Sequence, residues 1–266
     1  MNHEFMAADF YQELSEYGIQ LSPEQRQRIE EKINSVLTYE PRIGIFSKSG
    51  VGKSSLCNAL FGQDVCPISD ITACTRNVQE VLLEMGGKGL KLIDVPGVGE
   101  SSHRDKEYTK LYAKLLPELD CVLWLLKADE RAYMPDEIFY REIVKPHISQ
   151  GKPFFFVLNQ VDKMEPSDEW NTSGNLPGSR QFHNINLKIE AISRYFNIAA
   201  SKIIPVSAKY NYNLPKLVDE IVYALPREKK ITFLRGTAAK YRSIDSVAAV
   251  KKAWYEGVGE FLLLLR

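Results

Sequence analysis

Short apolar runs and longer amphipathic stretches alternate along most of this chain. The runs RIGIF, VQEVLLEM, LKLIDV, CVLWLLKA, KPFFFVLNQ and KIIPVSA have the composition of strands. Runs such as CVLWLL and FFFVL are apolar at consecutive positions, which predicts strands covered on both faces, as in a parallel sheet packed between helices. LCNALFG, EYTKLYAKLLPEL, DEIFYREIVKPHI, NINLKIEAISRYFNI and LPKLVDEIVYAL lie between them and are the predicted helices. This alternation predicts an α/β fold: a doubly wound, mostly parallel six-stranded sheet whose ligand sits at the carboxyl ends of the strands. Residues 1–37 are expected to form an N-terminal helical extension in two pieces, with Ser22 as a cap and Pro23 in the first turn of the second. Residues 38–226 are the α/β domain, and residues 227–266 a basic C-terminal helical segment. Met164 to Phe182 is polar and rich in turn formers, and is expected to be a surface loop.

Composition narrows the functional classes. With 266 residues, 44% of them hydrophobic, the chain can bury a full core. Thirty-four basic residues balance thirty-four acidic ones, so no global field recruits nucleic acid or anionic lipid, and any such contact needs a local patch. The four cysteines, Cys57, Cys66, Cys74 and Cys121, fit neither zinc nor redox spacing, which predicts reduced thiols and a cytoplasmic protein. The first residues carry acids where an export signal needs a basic region, and no apolar run approaches the ~18 residues of a membrane span. The stop at Arg266 directly after FLLLL implies either a truncated chain or a buried tail.

The chemistry-bearing motifs fall at predicted strand ends. SKSGVGKSSLCNAL follows RIGIF, so a glycine-containing loop joins a strand to a helix start. The backbone amides of Ser49, Gly50, Val51, Gly52, Lys53, Ser54 and Ser55 can there surround a phosphate, with the helix dipole behind them. Lys53 is expected to reach the β- and γ-phosphates and the Ser54 hydroxyl to ligate Mg²⁺. Ser47 replaces the first glycine of GxxxxGK[ST], which requires that its φ not be positive. Taken alone, Gly-Lys-Ser is also compatible with a helix start carrying an incidental lysine. LKLIDVPGVGE puts Asp94 at a strand end, where it can hold Mg²⁺ through water, with the Gly97 amide free to approach the γ-phosphate. DVPG by itself reads equally well as a turn. Two further strand ends carry Asn159 with Asp162, and Ser207-Ala208-Lys209.

The order phosphate loop, DxxG, NxxD and SAK resembles the guanine-nucleotide motif set of small GTPases. Its spacing and the CTR around Thr75 are similar to the bacterial Era/TrmE/EngA group. GVGKSSLCNALFG, ACTR, DVPGVGES and LWLLKADERA resemble most the YfjP-type GTPases within it. The resemblance spans about residues 38 to 226 and implies a G domain binding GTP or GDP with Mg²⁺. Asp162 would then accept two hydrogen bonds from guanine N1 and N2, whereas adenine would leave the carboxylate unpaired. Asn159 would tie the base loop to the phosphate loop, the Ala208 amide in the Ser207 loop would meet the guanine carbonyl, and the Lys209 stem would cover the ring. Gln160 stands where the family has lysine. QDVCPISDITACTRNV would be switch I, with Thr75 as a γ-phosphate-sensing Mg²⁺ ligand beside Ser54 and Asp94. Thr72 is the competing choice, and plain loop-capping hydroxyls the alternative. Lys53, Thr75 and Gly97 form the implied catalytic set. Val98 occupies the place of a water-orienting glutamine, so hydrolysis should be slow, and His103 reads mainly as a solvated histidine.

The expected function is a GTP-binding switch with slow Mg²⁺-dependent hydrolysis. A P-loop kinase leaves NQVD and SAK unexplained; a GTP-dependent binding module with negligible turnover and a membrane-associated GTPase remain alternatives. Between Pro226 and Trp254, eight lysines and arginines, among them Lys229, Lys230, Arg235, Lys251 and Lys252, face two acids, Glu228 and Asp245. That segment reads as a solvated helix face, a ribosome or RNA contact, or a membrane-surface helix.

Overall fold

The computed structural model describes residues 11–12, 15–16, 20–39, 41–48, 50–61, 79–83, 90–94, 115–130 and 133–264. Its centre is a six-stranded sheet: β1 (Arg42–Ser47), β2 (Gln79–Leu83), β3 (Leu90–Asp94), β4 (Cys121–Lys127), β5 (Phe154–Asn159) and β6 (Ile203–Pro205). The spatial order is β2-β3-β1-β4-β5-β6. Four of the five pairings are parallel and β2 runs antiparallel to β3 at the edge, so the six-stranded sheet is mostly parallel with one reversed edge strand. β6 is shorter than its apolar run: the Val206 amide still donates to the Leu158 carbonyl of β5, but the chain then turns away and carries Ser207 into a bridge with Tyr212.

Residues on β1, β4 and β5 alternate between two cores, as the two-residue side-chain period of a strand requires. Ile43, Ile45, Leu123, Leu125, Phe155 and Val157 point to one face, and Phe46, Val122, Trp124, Phe154, Phe156 and Leu158 to the other. The first face is covered by α2 (Lys53–Phe61) and α6 (Leu214–Ala224), whose Leu56, Leu60, Leu217 and Ile221 are buried in it. The second face is covered by α3 (Met134–Phe139), which continues through a π turn (Tyr140–Val144) into α4 (Lys145–Ile148), and by α5 (Ser179–Phe196).

Met164–Phe182 is more than a surface loop. It forms two short turns and a bridge between Asn171 and Leu176, and α5 begins at Ser179. Within it Trp170 is buried and packs against Tyr210 and Tyr212, at centroid distances of 5.3 and 5.5 Å. Aromatic burial at one residue overrides the polar composition of its neighbours.

The flanking segments pack on the first face. α1 (Pro23–Thr38) starts in a capping box: the Ser22 hydroxyl accepts from the Gln25 amide, and the Ser22 amide donates to the Gln25 side chain. Its Ile29 and Ile33 join the same core as Phe233 of α7 (Arg227–Gly236) and Val250 and Trp254 of α8 (Ile244–Leu264). The polar link among them is Asp120, just before β4. It is buried and accepts from the Tyr39 hydroxyl, the Arg42 amide at 2.8 Å, and the Lys229 ammonium of α7.

Candidate functional site

The phosphate loop leaves β1 and enters α2. Ser47 ends β1 in extended backbone, which accounts for serine at the position usually held by glycine. Gly50 has φ 77° and Gly52 φ 90°, conformations that L side chains rarely adopt, so these two positions need glycine. A Cβ on Gly52 would also lie 2.7 Å from Asn159 Nδ2. The Gly52 carbonyl accepts the Leu56 amide, opening α2, so Lys53, Ser54 and Ser55 form its first turn, where backbone amides point along the helix axis towards the loop.

At the end of β5, Asn159 is buried and bridges two loops. Its Nδ2 donates to the Val51 carbonyl at 2.9 Å, and its Oδ1 accepts from the Ala208 amide at 3.3 Å. Gln160, in the left-handed region with φ 63°, donates from Nε2 to the Gly50 carbonyl at 3.2 Å. Glutamine thus makes a second tie to the phosphate loop from the family's lysine position. Asp162 accepts from the Ser207 hydroxyl at 2.6 Å, which fixes one carboxylate oxygen; among the described residues no hydrogen bond is made to the other. Lys209 extends over the Tyr210 ring, 4.8 Å from its centroid.

The structure therefore brings together Gly50, Val51, Gly52, Lys53, Ser54 and Ser55 with Asn159, Gln160, Asp162, Ser207, Ala208 and Lys209 at the carboxyl ends of β1 and β5 and just beyond β6. Asp94 closes β3 opposite Ile45 of β1, two residues before the loop begins. Ser49, Thr72, Thr75, Gly97, Val98 and His103 lie outside the described residues. The Ser54 hydroxyl and the acid at position 94 are hard oxygen donors of the kind Mg²⁺ takes, so this end of the sheet fits that ion.

Sequence reasoning missed several supports. Gln181 of α5 is fully buried and donates to the carbonyls of Asp162 and Met164 at 3.2 and 2.8 Å, propping up the base loop. Lys48 pairs with Glu130 at 2.9 Å and with Asp136 at 2.5 Å. Trp124 Nε1 donates to the other Asp136 oxygen at 3.1 Å. Burial raises the Asp136 pKa against the pull of Lys48 and Trp124. Lys48 itself, despite burial, is held above the usual lysine value by its two carboxylates. KADERA was visible as a motif, but nothing in its spacing points to a lysine some eighty residues earlier.

A glycine-shaped phosphate loop tied to a base loop at neighbouring strand ends is the architecture of a P-loop GTPase. Residues 42–160 match the family described as 50S ribosome-binding GTPase. Two proteins of Escherichia coli (strain K12) are similar over nearly the whole chain. YfjP is 38% identical over 90% of this chain and 83% of its own, and YkfA 40% identical over 89% and 80%. The chain belongs to the family of YfjP, a bacterial P-loop GTPase family. A solved structure of Era in complex with MgGDPNP and nucleotides 1506–1542 of 16S ribosomal RNA matches with TM-score 0.53 and 27% identity. That match covers 70% of this chain and 57% of the Era chain. Era of Aquifex aeolicus bound to GDP.AlF4- matches with TM-score 0.51, 27% identity and coverages of 70% and 56%.

Proposed function

We propose that this chain is a nucleotide-dependent switch that binds GTP and GDP with Mg²⁺ and hydrolyses GTP slowly. The observation that carries the reading is Asn159, which joins the phosphate loop to the loop bearing Ala208, beside an Asp162 carboxylate held by Ser207. Guanine presents two adjacent donors, N1 and N2, to the open side of such a carboxylate, and adenine presents none. Lys53 and the first-turn amides of α2 hold the phosphates. Ser54, Asp94 and Thr75 are the residues that would hold Mg²⁺, and the ion, when bound, supplies charge neutralisation at the β- and γ-phosphates. Gly97 and Thr75 take the γ-phosphate contacts, and the absence of glutamine at position 98 sets a slow rate.

The test is nucleotide identification after denaturing the purified protein, followed by titration with GTP, GDP and ATP. Bound guanine nucleotide and a strong preference over ATP are expected; equal affinity for ATP and GTP refutes the reading. Multiple-turnover phosphate release then separates a hydrolase from a binding module.

Ribosome or RNA contact through residues 227–266 is the partner this family suggests, since its description names the 50S ribosome. The basic surface available for it is smaller than composition implied. Lys229 is spent on Asp120, and Lys230 donates to the carbonyls of Val222 and Tyr223. Lys251 and Lys252 are exposed on α8 and carry the proposal. Charge reversal at both should abolish salt-sensitive co-sedimentation with ribosomes, and unchanged sedimentation rejects the contact.

A further inference from the structure

The phosphate loop is gripped at three points within four residues, each from outside the loop. Gln160 holds the Gly50 carbonyl and Asn159 the Val51 carbonyl, both from the end of β5. The third grip is at the root, where Lys48 directly follows β1. Its ammonium meets Glu130, in the turn after β4, and Asp136 of α3.

This third grip belongs to none of the guanine-recognition motifs. Asp136 has a side chain only 1% exposed, and its second oxygen is taken by Trp124 from inside the core. A buried ion pair contributes little to stability, because desolvation offsets attraction; an apolar pair of the same volume would serve the core as well or better. What such a pair does supply is a fixed geometry, and here the fixed object is the backbone entering a loop with two positive-φ glycines. The turn is braced in its own right: Lys188 of α5 donates to the Glu130 carbonyl and lies over the Tyr133 ring, 4.8 Å from its centroid. The same helix carries Gln181, which supports the carbonyls of Asp162 and Met164. One helix thus touches both the brace of the phosphate loop and the base loop.

We propose that Glu130 and Asp136, acting through Lys48, are positioning residues that hold the phosphate loop in its anion-cradling conformation and so set affinity for the β-phosphate. The proposal rests on the reading of this loop as the phosphate site. It assigns a role to the KADERA turn and predicts that losses on weakening the clamp scale with the number of phosphates gripped. Base recognition, made at Asp162, stays intact.

The experiment uses the full chain and fluorescent GDP, displaced by unlabelled GDP, GMP and ADP. Asp136→Asn keeps the shape and the Trp124 contact, Glu130→Gln removes the more accessible charge, and Lys48→Met removes the cation. Each should weaken GDP by about tenfold, equivalent to ~1.4 kcal/mol. GMP should change by less than about threefold, with guanine preferred over adenine throughout. Lys48→Arg, which can still reach both carboxylates, should restore GDP affinity. Equal losses for GDP and GMP, or GDP binding at the wild-type level in all three variants, overturn the clamp. Should Asp136→Asn fail to fold, Glu130→Gln decides alone. A wild-type chain that binds no guanine nucleotide overturns the phosphate-site reading, and the clamp with it.

Discussion

Asn159→Ala is the substitution on which the site can be judged most directly. The side chain is 1% exposed and makes two hydrogen bonds, to the Val51 carbonyl at 2.9 Å and from the Ala208 amide at 3.3 Å. Each such bond contributes about 0.5–1.5 kcal/mol net, and truncation strands both backbone partners, so the total loss is about 2–4 kcal/mol. Part of that falls on the fold and part on the bound state, because the two loops it joins are the ones proposed above to contact the nucleotide. If roughly half appears as lost stability, the melting temperature drops by about 2–8 °C for a chain of this size. The other half raises the GDP dissociation constant by about 5- to 30-fold. Differential scanning fluorimetry reads the first and stopped-flow release of fluorescent GDP the second. A variant that melts lower yet releases GDP at the wild-type rate would show that Asn159 is only a core residue.

Three further outcomes follow from the same geometry. Asp162→Asn should weaken GTP and shift preference towards xanthosine triphosphate, measured by competition, since an amide complements the xanthine edge. Lys53→Ala should abolish tight triphosphate binding without lowering the melting temperature by more than about 2 °C. Lys229→Met should cost about 2–3 kcal/mol in urea denaturation, towards the low end for a broken buried pair because Tyr39 and the Arg42 amide still serve Asp120. Burial would lower the Lys229 pKa, but the Asp120 and Tyr39 contacts outweigh it and the value is raised. A raised lysine stabilises at all pH values below the ordinary lysine range, so this contribution should persist through neutrality and vanish only as pH rises beyond that range.

The parts legible in the sequence were those written locally. The glycines of the phosphate loop, the Ser22 cap and the consecutive apolar residues of β4 and β5 each follow from neighbours a few positions away. The position of Asn159 at the end of β5, with Asp162 just beyond it, was legible from the apolar run that precedes them. The direction of β2 was not, since an apolar run reads the same whichever way the strand points. Nor was the burial of Trp170, whose partners Tyr210 and Tyr212 lie forty residues on. Pairings such as Lys48 with Asp136 and Lys229 with Asp120 join residues about ninety or more positions apart, and no periodicity carries that information. The inward use of Lys229 and Lys230 is the clearest instance: composition marked them as a surface charge, and tertiary contacts consumed them.

The Tyr39, Asp120 and Lys229 joint also governs how the chain can come apart. It sits where β1 and β4 begin, at the end of the sheet away from the phosphate loop, and unites the exit of α1, the body of the sheet and the start of α7. Peeling away either flanking helix strands the same carboxylate in a nearly dry site. Unravelling from one terminus should therefore loosen the other, so that protease nicks near residues 39 and 226 appear together rather than in succession. Shortened chains cut at either point would carry the defect permanently, and a loss of partner binding in them would report a damaged sheet rather than a missing contact.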